Sequence, residues 1–457
     1  MKNKIAIIIS IISLILGIVS CFLFNTIISL LLLSCFSAII TYKFYTKNST
    51  LPEIVENNLT AISFVLTFIL LTVVMFSLTM FLKENVHFNT KKTTDNIPVE
   101  LVAISNYDDL NTDLSFQTFT TKRNDTSVIL VKNNSEVTFR NSTFEKKGGT
   151  SSNCEYSSTF GLNSVYLNNT STTSHIYASN IISEESCSIP LFVYGENSIV
   201  EINDSKIESK SSNNSSAITT REKASIKANN ITVLSKGKNS PALNTGEDTK
   251  INIVNSLLET SSHNSPIIDN SGITSLKNIT GTSNQDRFLL LKKGELSLEE
   301  STILVSGRGD SLEDHSAIKI IGDSKLSIKD SSININNNGL YYNVSSMMII
   351  EKASTEINLE NSILNTGNNT FLKATDSKIN INLTKENIVG DIINNNSDIT
   401  LNLINSNYKG NLNNTILYLD ENSTITLTKN TTLKELHNKK QDNSNIILNG
   451  YELKIEQ

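Results

Sequence analysis

Tryptophan is absent from the 457-residue chain, proline occurs five times, and aromatic residues make up only 6%. Large aromatic side chains dominate the buried area of most globular cores, so their scarcity argues against an ordinary globular enzyme and for a core of stacked β-branched and aliphatic residues. The net charge is −6, with lysines and acids interspersed. No basic patch therefore points to nucleic acid as a partner. Glycine-rich phosphate-binding phrases are absent, which removes dinucleotide and P-loop chemistry. The five histidines, at 87, 175, 263, 315 and 437, fall without metal-ligand spacing, and no nucleophile sits in a catalytic framework. The sequence thus offers no catalytic residue, no metal ligand set and no cofactor. Of the four cysteines, Cys21 and Cys35 lie in apolar runs and behave as small apolar residues.

What the chain has in quantity is one repeated phrase. It is clearest at 249–258: Ile251 and Ile253 alternate with polar residues, Asn255 and Ser256 follow, and Leu258 resumes the apolar pattern. The phrase returns as Val137, Phe139, Asn141, Ser142, Phe144, and as Val200, Ile202, Asp204, Ser205, Ile207. It appears again as Leu296, Leu298, Glu300, Ser301, Ile303, then Leu326, Ile328, Asp330, Ser331, Ile333, and Ile357, Leu359, Asn361, Ser362, Leu364. Looser copies are Ile226/Ala228/Asn230, Ile379/Ile381/Leu383, Ile399/Leu401/Leu403 and Ile425/Leu427. The second apolar position falls at 202, 228, 253, 276, 298, 328, 359, 381, 401 and 427. A copy every ~20 to 31 residues is in the range of solenoids. Period-2 alternation predicts a strand, and the Asn/Asp-Ser pair predicts a corner, because Asn and Asp tolerate left-handed backbone and bond it locally. A short strand, a tight corner and another inward residue, once per coil, describe a parallel β-helix. Its aliphatic ladder is Val200, Ile202, Ile251, Ile253, Leu296, Leu298, Leu326, Ile328, Ile357 and Leu359, with corners at Asn141, Asp204, Asn255, Asp330 and Asn361. The opposite phase, Asn252, Ser297, Ser327 and Asn358, faces outward and is uncharged.

The first 82 residues are of another kind. Residues 5–24, 27–42 and 61–82 are apolar runs free of charge; the first and third are long enough to cross a ~30 Å hydrocarbon core, and the second is if Thr41 and Tyr42 sit at the interface. Three spans are one reading; one or two spans behind a signal-like segment is the other. Lys2 and Lys4 precede the first run, and Lys43 and Lys47 follow the second. The positive-inside rule then leaves the N-terminus in the cytoplasm and everything after about residue 83 outside. Residues 83–124 read as a polar stalk and a cap near 101–104, which the open end of a β-helix needs, and 125–457 as the β-helix. Residues 445–455 read as a closing strand.

From about Asp125 onward the chain resembles the adhesin-like parallel β-helix surface proteins common in low-GC gut bacteria and some archaea. The segments that carry the likeness are TSVILVKNNSEVTFRNSTFEKKGG at 126–149, SSTFGLNSVYL at 157–167, MIIEKASTEINLENSIL at 348–364, FLKATDSKININL at 371–383, and the alternating stretches 423–436 and 445–455. The resemblance implies an all-β solenoid, a right-handed single-stranded parallel β-helix of the pectin-lyase-like kind, displayed at the cell surface. It implies little about activity, because that group is defined by architecture and location. Apparent membrane runs at one end, with no wall anchor at the other, favour membrane tethering.

The expected function is a membrane-anchored cell-surface adhesin-like protein whose partners are glycans or proteins of other cells or matrix. The alternative is a polysaccharide lyase or glycoside hydrolase on the same fold, which needs acids and bases converging on a groove. The one suggestive cluster is Arg308, Asp310, Glu313, Asp314 and His315, flanked by Gly307 and Gly309. Its simpler reading is a solvated loop. Cys154 and Cys187, outside the membrane on this topology, either pair across neighbouring coils or remain free thiols.

Overall fold

Alternation at 98–456 becomes three strands per coil. The computed structural model describes residues 98–211, 213–306, 315–336, 344–366 and 370–456. The apolar runs 5–24, 27–42 and 61–82, the start of the expected stalk, and Arg308, Asp310, Glu313 and Asp314 lie outside them. Among the described residues no helix is long and apolar enough to cross a membrane. Residues 97–457 form one compact unit, an all-β solenoid of parallel strands. Its first face is a 12-stranded sheet running from Val102–Asp108 through Thr126–Lys132, Tyr166–Asn168 and Leu191–Tyr194 to Ile392–Asn395. The second face carries the repeated phrase, as in Ile199–Asn203 and Ser324–Lys329, and the third carries its closing apolar residue, as in Lys206–Ser209 and Ser332–Ile335. As far as Ile363–Asn365 the second and third faces belong to one 22-stranded sheet, because Lys250–Thr260 and Ile273–Ser283 run through the corner unbroken; Asn387–Val389, Asn407–Gly410, Thr424–Leu427 and Ile446–Ile447 continue the third face as a separate four-stranded sheet.

Stacking is in register with the sequence phrase. Val200 pairs through Ile226 with Ile251, and Ile202 through Ala228 with Ile253. Farther along, Leu296, Leu326 and Ile357 align, as do Leu298, Ile328 and Leu359. All ten ladder residues are at most 1% exposed, so each contributes about 1.5–3 kcal/mol of burial. The corner residues Asn141, Asp204, Asn255, Asp330 and Asn361 have φ of 48–52°, the left-handed region where Asn and Asp are enriched. The serine after the corner points inward and joins coils. Ser331 Oγ accepts from Ser301 N at 3.0 Å and donates to Lys329 O at 2.6 Å, while Ser331 N donates to Ser362 Oγ at 3.3 Å.

The structure corrects the register in several places. Leu359 stacks on Leu383 and Leu403, two residues beyond the expected 381 and 401, because these strands begin one pleat earlier and bring Thr355, Ile379 and Ile399 inward. Ile425 and Leu427 are on the third face, paired with Tyr408 and Gly410; alternation alone does not say which face a strand joins. Residues 445–455 form two short strands, Ile446–Ile447 and Leu453–Ile455, separated at Asn449 and Gly450, whose φ values are 54° and 87°. Within the segment expected as stalk and cap, Val102–Asp108, Asn111–Ser115 and Thr118–Thr121 pair in parallel with the coil that follows.

Among the described residues one helix, α1 (Cys154–Phe160), interrupts the coils. Asn153 caps it by accepting from Glu155 N at 2.9 Å and Tyr156 N at 3.1 Å, and Gly161 ends it at φ 81°. A Cβ on Gly161 would stand 2.8 Å from Leu167 Cδ1 and 2.9 Å from Phe192 Cδ1. The helix end thus lies directly on the outer side of the first face, where Ala103, Leu130, Leu167, Ile189 and Phe192 form a second, smaller core. Thr126–Lys132 and Leu191–Tyr194 are accordingly buried on both sides.

Candidate binding surface

The second face turns an ordered surface outward. Its central row continues through Ser297, Ser327, Asn358, Asn382 and Asn402. Here amides bond along the stack: Asn382 Nδ2 donates to Asn358 Oδ1 at 2.7 Å, and Asn402 Nδ2 to Asn382 Oδ1 at 2.8 Å. Charged rows flank it. Glu295, Lys325 and Glu356 align on one side, and Glu299, Lys329 and Glu360 on the other. The contacts Lys325–Glu356 at 3.6 Å and Lys329–Glu360 at 3.4 Å are exposed and hold little energy; they order the rows. Toward the N-terminal coils the central row becomes charged, with His175 Nδ1 3.2 Å from Glu201 and Lys227 3.1 Å from the same carboxylate.

The first face presents acids and bases beyond the part that α1 covers. Lys292 Nζ lies 2.9 Å from Asp269 Oδ2, and Lys319 lies 3.0 Å from Glu351. Arg221 donates to Asn244 O at 3.2 Å and Asn244 Oδ1 at 3.1 Å, and burial pulls its guanidinium down to about 10. Among the described residues, no three His, Cys, Asp or Glu side chains gather as a metal site. Of the sequence-marked loop cluster only His315 is described; it is half-buried, and its Nε2 has no hydrogen-bond partner.

Cys154 and Cys187 are joined in a disulfide with Cα atoms 5.0 Å apart. The bond ties the first residue of α1 to the connection that precedes Leu191–Tyr194, so it holds the helix over the first face.

The buried ionisable side chains Lys146, Glu208 and Glu386 escaped the sequence reading. Lys146 is fully buried at the inward end of its strand. Its ammonium donates to Arg123 O at 2.9 Å and Thr126 O at 2.8 Å, and burial draws its pKa down to about 8. Glu386 stands where the phrase puts serine. Its Oε1 accepts from Ser362 N at 2.8 Å and its N donates to Ser406 Oγ at 2.9 Å. Oε2 is buried without a partner, and burial pushes the carboxyl up to about 7. The signal was available: Lys385-Glu386 replaces Asn/Asp-Ser at that corner.

Compared with family models, curated proteins and solved structures, the chain finds no match.

Proposed function

We propose that the chain is a membrane-anchored, adhesin-like surface protein, with residues 1–82 as the anchor and the solenoid, a right-handed parallel β-helix, held outside the cell. The observation that carries this reading is the uncharged row Ser297, Ser327, Asn358, Asn382 and Asn402, hydrogen-bonded from Asn358 to Asn402 and flanked by ordered charged rows from Ser297 to Asn358. Such a surface repeats a similar shallow polar contact along these five coils, every ~4.8 Å. A first face of 12 strands then spans roughly 50 to 60 Å at that spacing. Individually weak contacts to glycans or protein backbone gain strength by repetition and by many copies on one surface. Kinship with low-GC bacterial surface proteins rests on the sequence segments given above.

The full-length protein in detergent should bind cells or glycan arrays weakly as a monomer and at least about ten-fold more tightly when clustered on beads, the gain expected of multivalency. Equal binding in both formats would contradict the reading. A second reading, a polysaccharide lyase or hydrolase, is favoured by Arg221, Asp269 and Lys292 on the outer first face. Release of product from pectin or alginate with calcium, lost on Asp269→Asn or on replacing Asp310, Glu313 and Asp314 by alanine, would establish it instead.

A further inference from the structure

The connection from the third face back to the first shortens along the stack. Ten residues, 306–315 and again 336–345, separate the strands in the middle coils and four, 366–369, in the next, whereas only Gly390 and Asp391 separate Asn387–Val389 from Ile392–Asn395. A concave corner of about 470 Å³ lies there, between Ser345 and Thr370 on one side and Thr428 and Lys429 on the other, a volume within the ~300–1,000 Å³ of small-molecule sites. Its floor is bare backbone. A Cβ on Gly410 would lie 2.1 Å from Gly390 O, so glycine is required where these coils stack. Fully buried Tyr408 locks the floor from beneath by donating its hydroxyl to Gly390 O at 2.6 Å. Val389, 54% exposed, supplies an apolar wall.

The charges in the corner do not cancel. Asp391 Oδ2 meets Lys429 Nζ at 2.7 Å, and Oδ1 accepts from Asn411 N at 2.9 Å and Thr428 Oγ1 at 3.3 Å. Partial burial raises the Asp391 carboxyl, but these donors outweigh it and hold the group below its ordinary range. Asp391 is therefore a fixed anion with a fixed cation beside it. Lys409 also lines the corner and makes no ion pair or side-chain hydrogen bond among the described residues. One ammonium is thus left over for a ligand.

We infer that this corner is a subsite for a sugar bearing a carboxylate, a uronate or sialate residue of a polysaccharide or glycan, with Lys409 pairing the carboxylate. Asp391 accepts from, and Lys429 donates to, neighbouring hydroxyls, while the C–H face of the ring lies on Val389. A charged hydrogen bond of this kind gains more than a neutral one, and a fixed carboxylate–ammonium pair matches the donors and acceptors of a diol better than those of an acidic peptide. The inference deepens the surface-binding reading and rests on it.

The test is titration of the full-length protein in detergent with tri-galacturonate, its fully methyl-esterified form, and an acidic peptide of equal charge. The acid form should bind, and Lys409→Gln should weaken it by about ten-fold or more. The ester should bind no better to wild type than the acid form does to that variant, and Lys250→Gln, on the second face, should change nothing. Lys409 is exposed, so its replacement leaves the fold intact. Undiminished binding by Lys409→Gln, equal binding of the ester, or equal binding of the peptide would each overturn the subsite. Bead-clustered binding to cells that persists while tri-galacturonate fails to bind would overturn the subsite alone. Loss of the clustering gain with tri-galacturonate still bound would overturn the surface-binding reading alone.

Discussion

The serine after each corner does two jobs for one side chain. It accepts the N–H of the coil before it and returns its proton to its own strand, as Ser331 does, which satisfies polar groups that burial would otherwise strand. Glu386 keeps the first bond and lacks the second, so the cost of its burial falls on the charged form. Its folded pKa is about 7 against an ordinary 4.5. The unfolded chain therefore releases its proton at lower pH than the folded one, and stability falls as pH rises from about 4.5 to about 7, then levels. The span corresponds to about 3 kcal/mol. Urea midpoints at about pH 5 and pH 8 should show this loss in wild type and a flatter profile in Glu386→Gln. Identical slopes for the two proteins would remove the argument. The corner itself was legible because few residue types accept φ near 50°. Glu300 and Lys385, at φ 48° and 57°, show the limit: once neighbouring coils fix the corner, its residue is no longer dictated by its own preference.

Strands were legible as strands, and their faces only in part. Alternation fixed which side of 249–258 is buried, since a one-residue slip would turn every side chain over. Sliding a strand by two residues preserves that pattern. Hence the two-residue offset at 383 and 403, and the placement of Ile425 and Leu427 on the third face, were settled by stacking neighbours. Helix α1 left little sequence signal, because its seven residues form only two turns held by a cap, a disulfide and packing on Leu167 and Phe192. The candidate corner at Gly390 was illegible for a related reason: it lies at a connection of only two residues, which no alternation marks. The ladder itself is open to test. Ile328→Asp would bury an unpaired charge between Leu298 and Leu359 and should cost several kcal/mol, about 3 or more. Lys329→Gln, in opposite phase and paired only with exposed Glu360, should cost about 0.5 kcal/mol or less. Comparable falls in melting temperature would mean that the inward set is wrongly assigned.

At the scale of the whole molecule, two compositions meet in one chain: apolar runs before residue 83 and Asn/Ser-rich coils after it. Coils of this kind bury aliphatic ladders inside and repeat polar rows outside, so length along the stack multiplies surface. Such a scaffold is useful to a cell where partners can reach it, which makes topology the premise of the surface-binding account. The decisive measurement is protease treatment of intact cells that carry the full-length chain with a different epitope at each end. The account predicts that the epitope after Gln457 is lost without permeabilisation while the one before Met1 survives until the membrane is opened. Survival of the C-terminal epitope on intact cells, with loss only after permeabilisation, would contradict it.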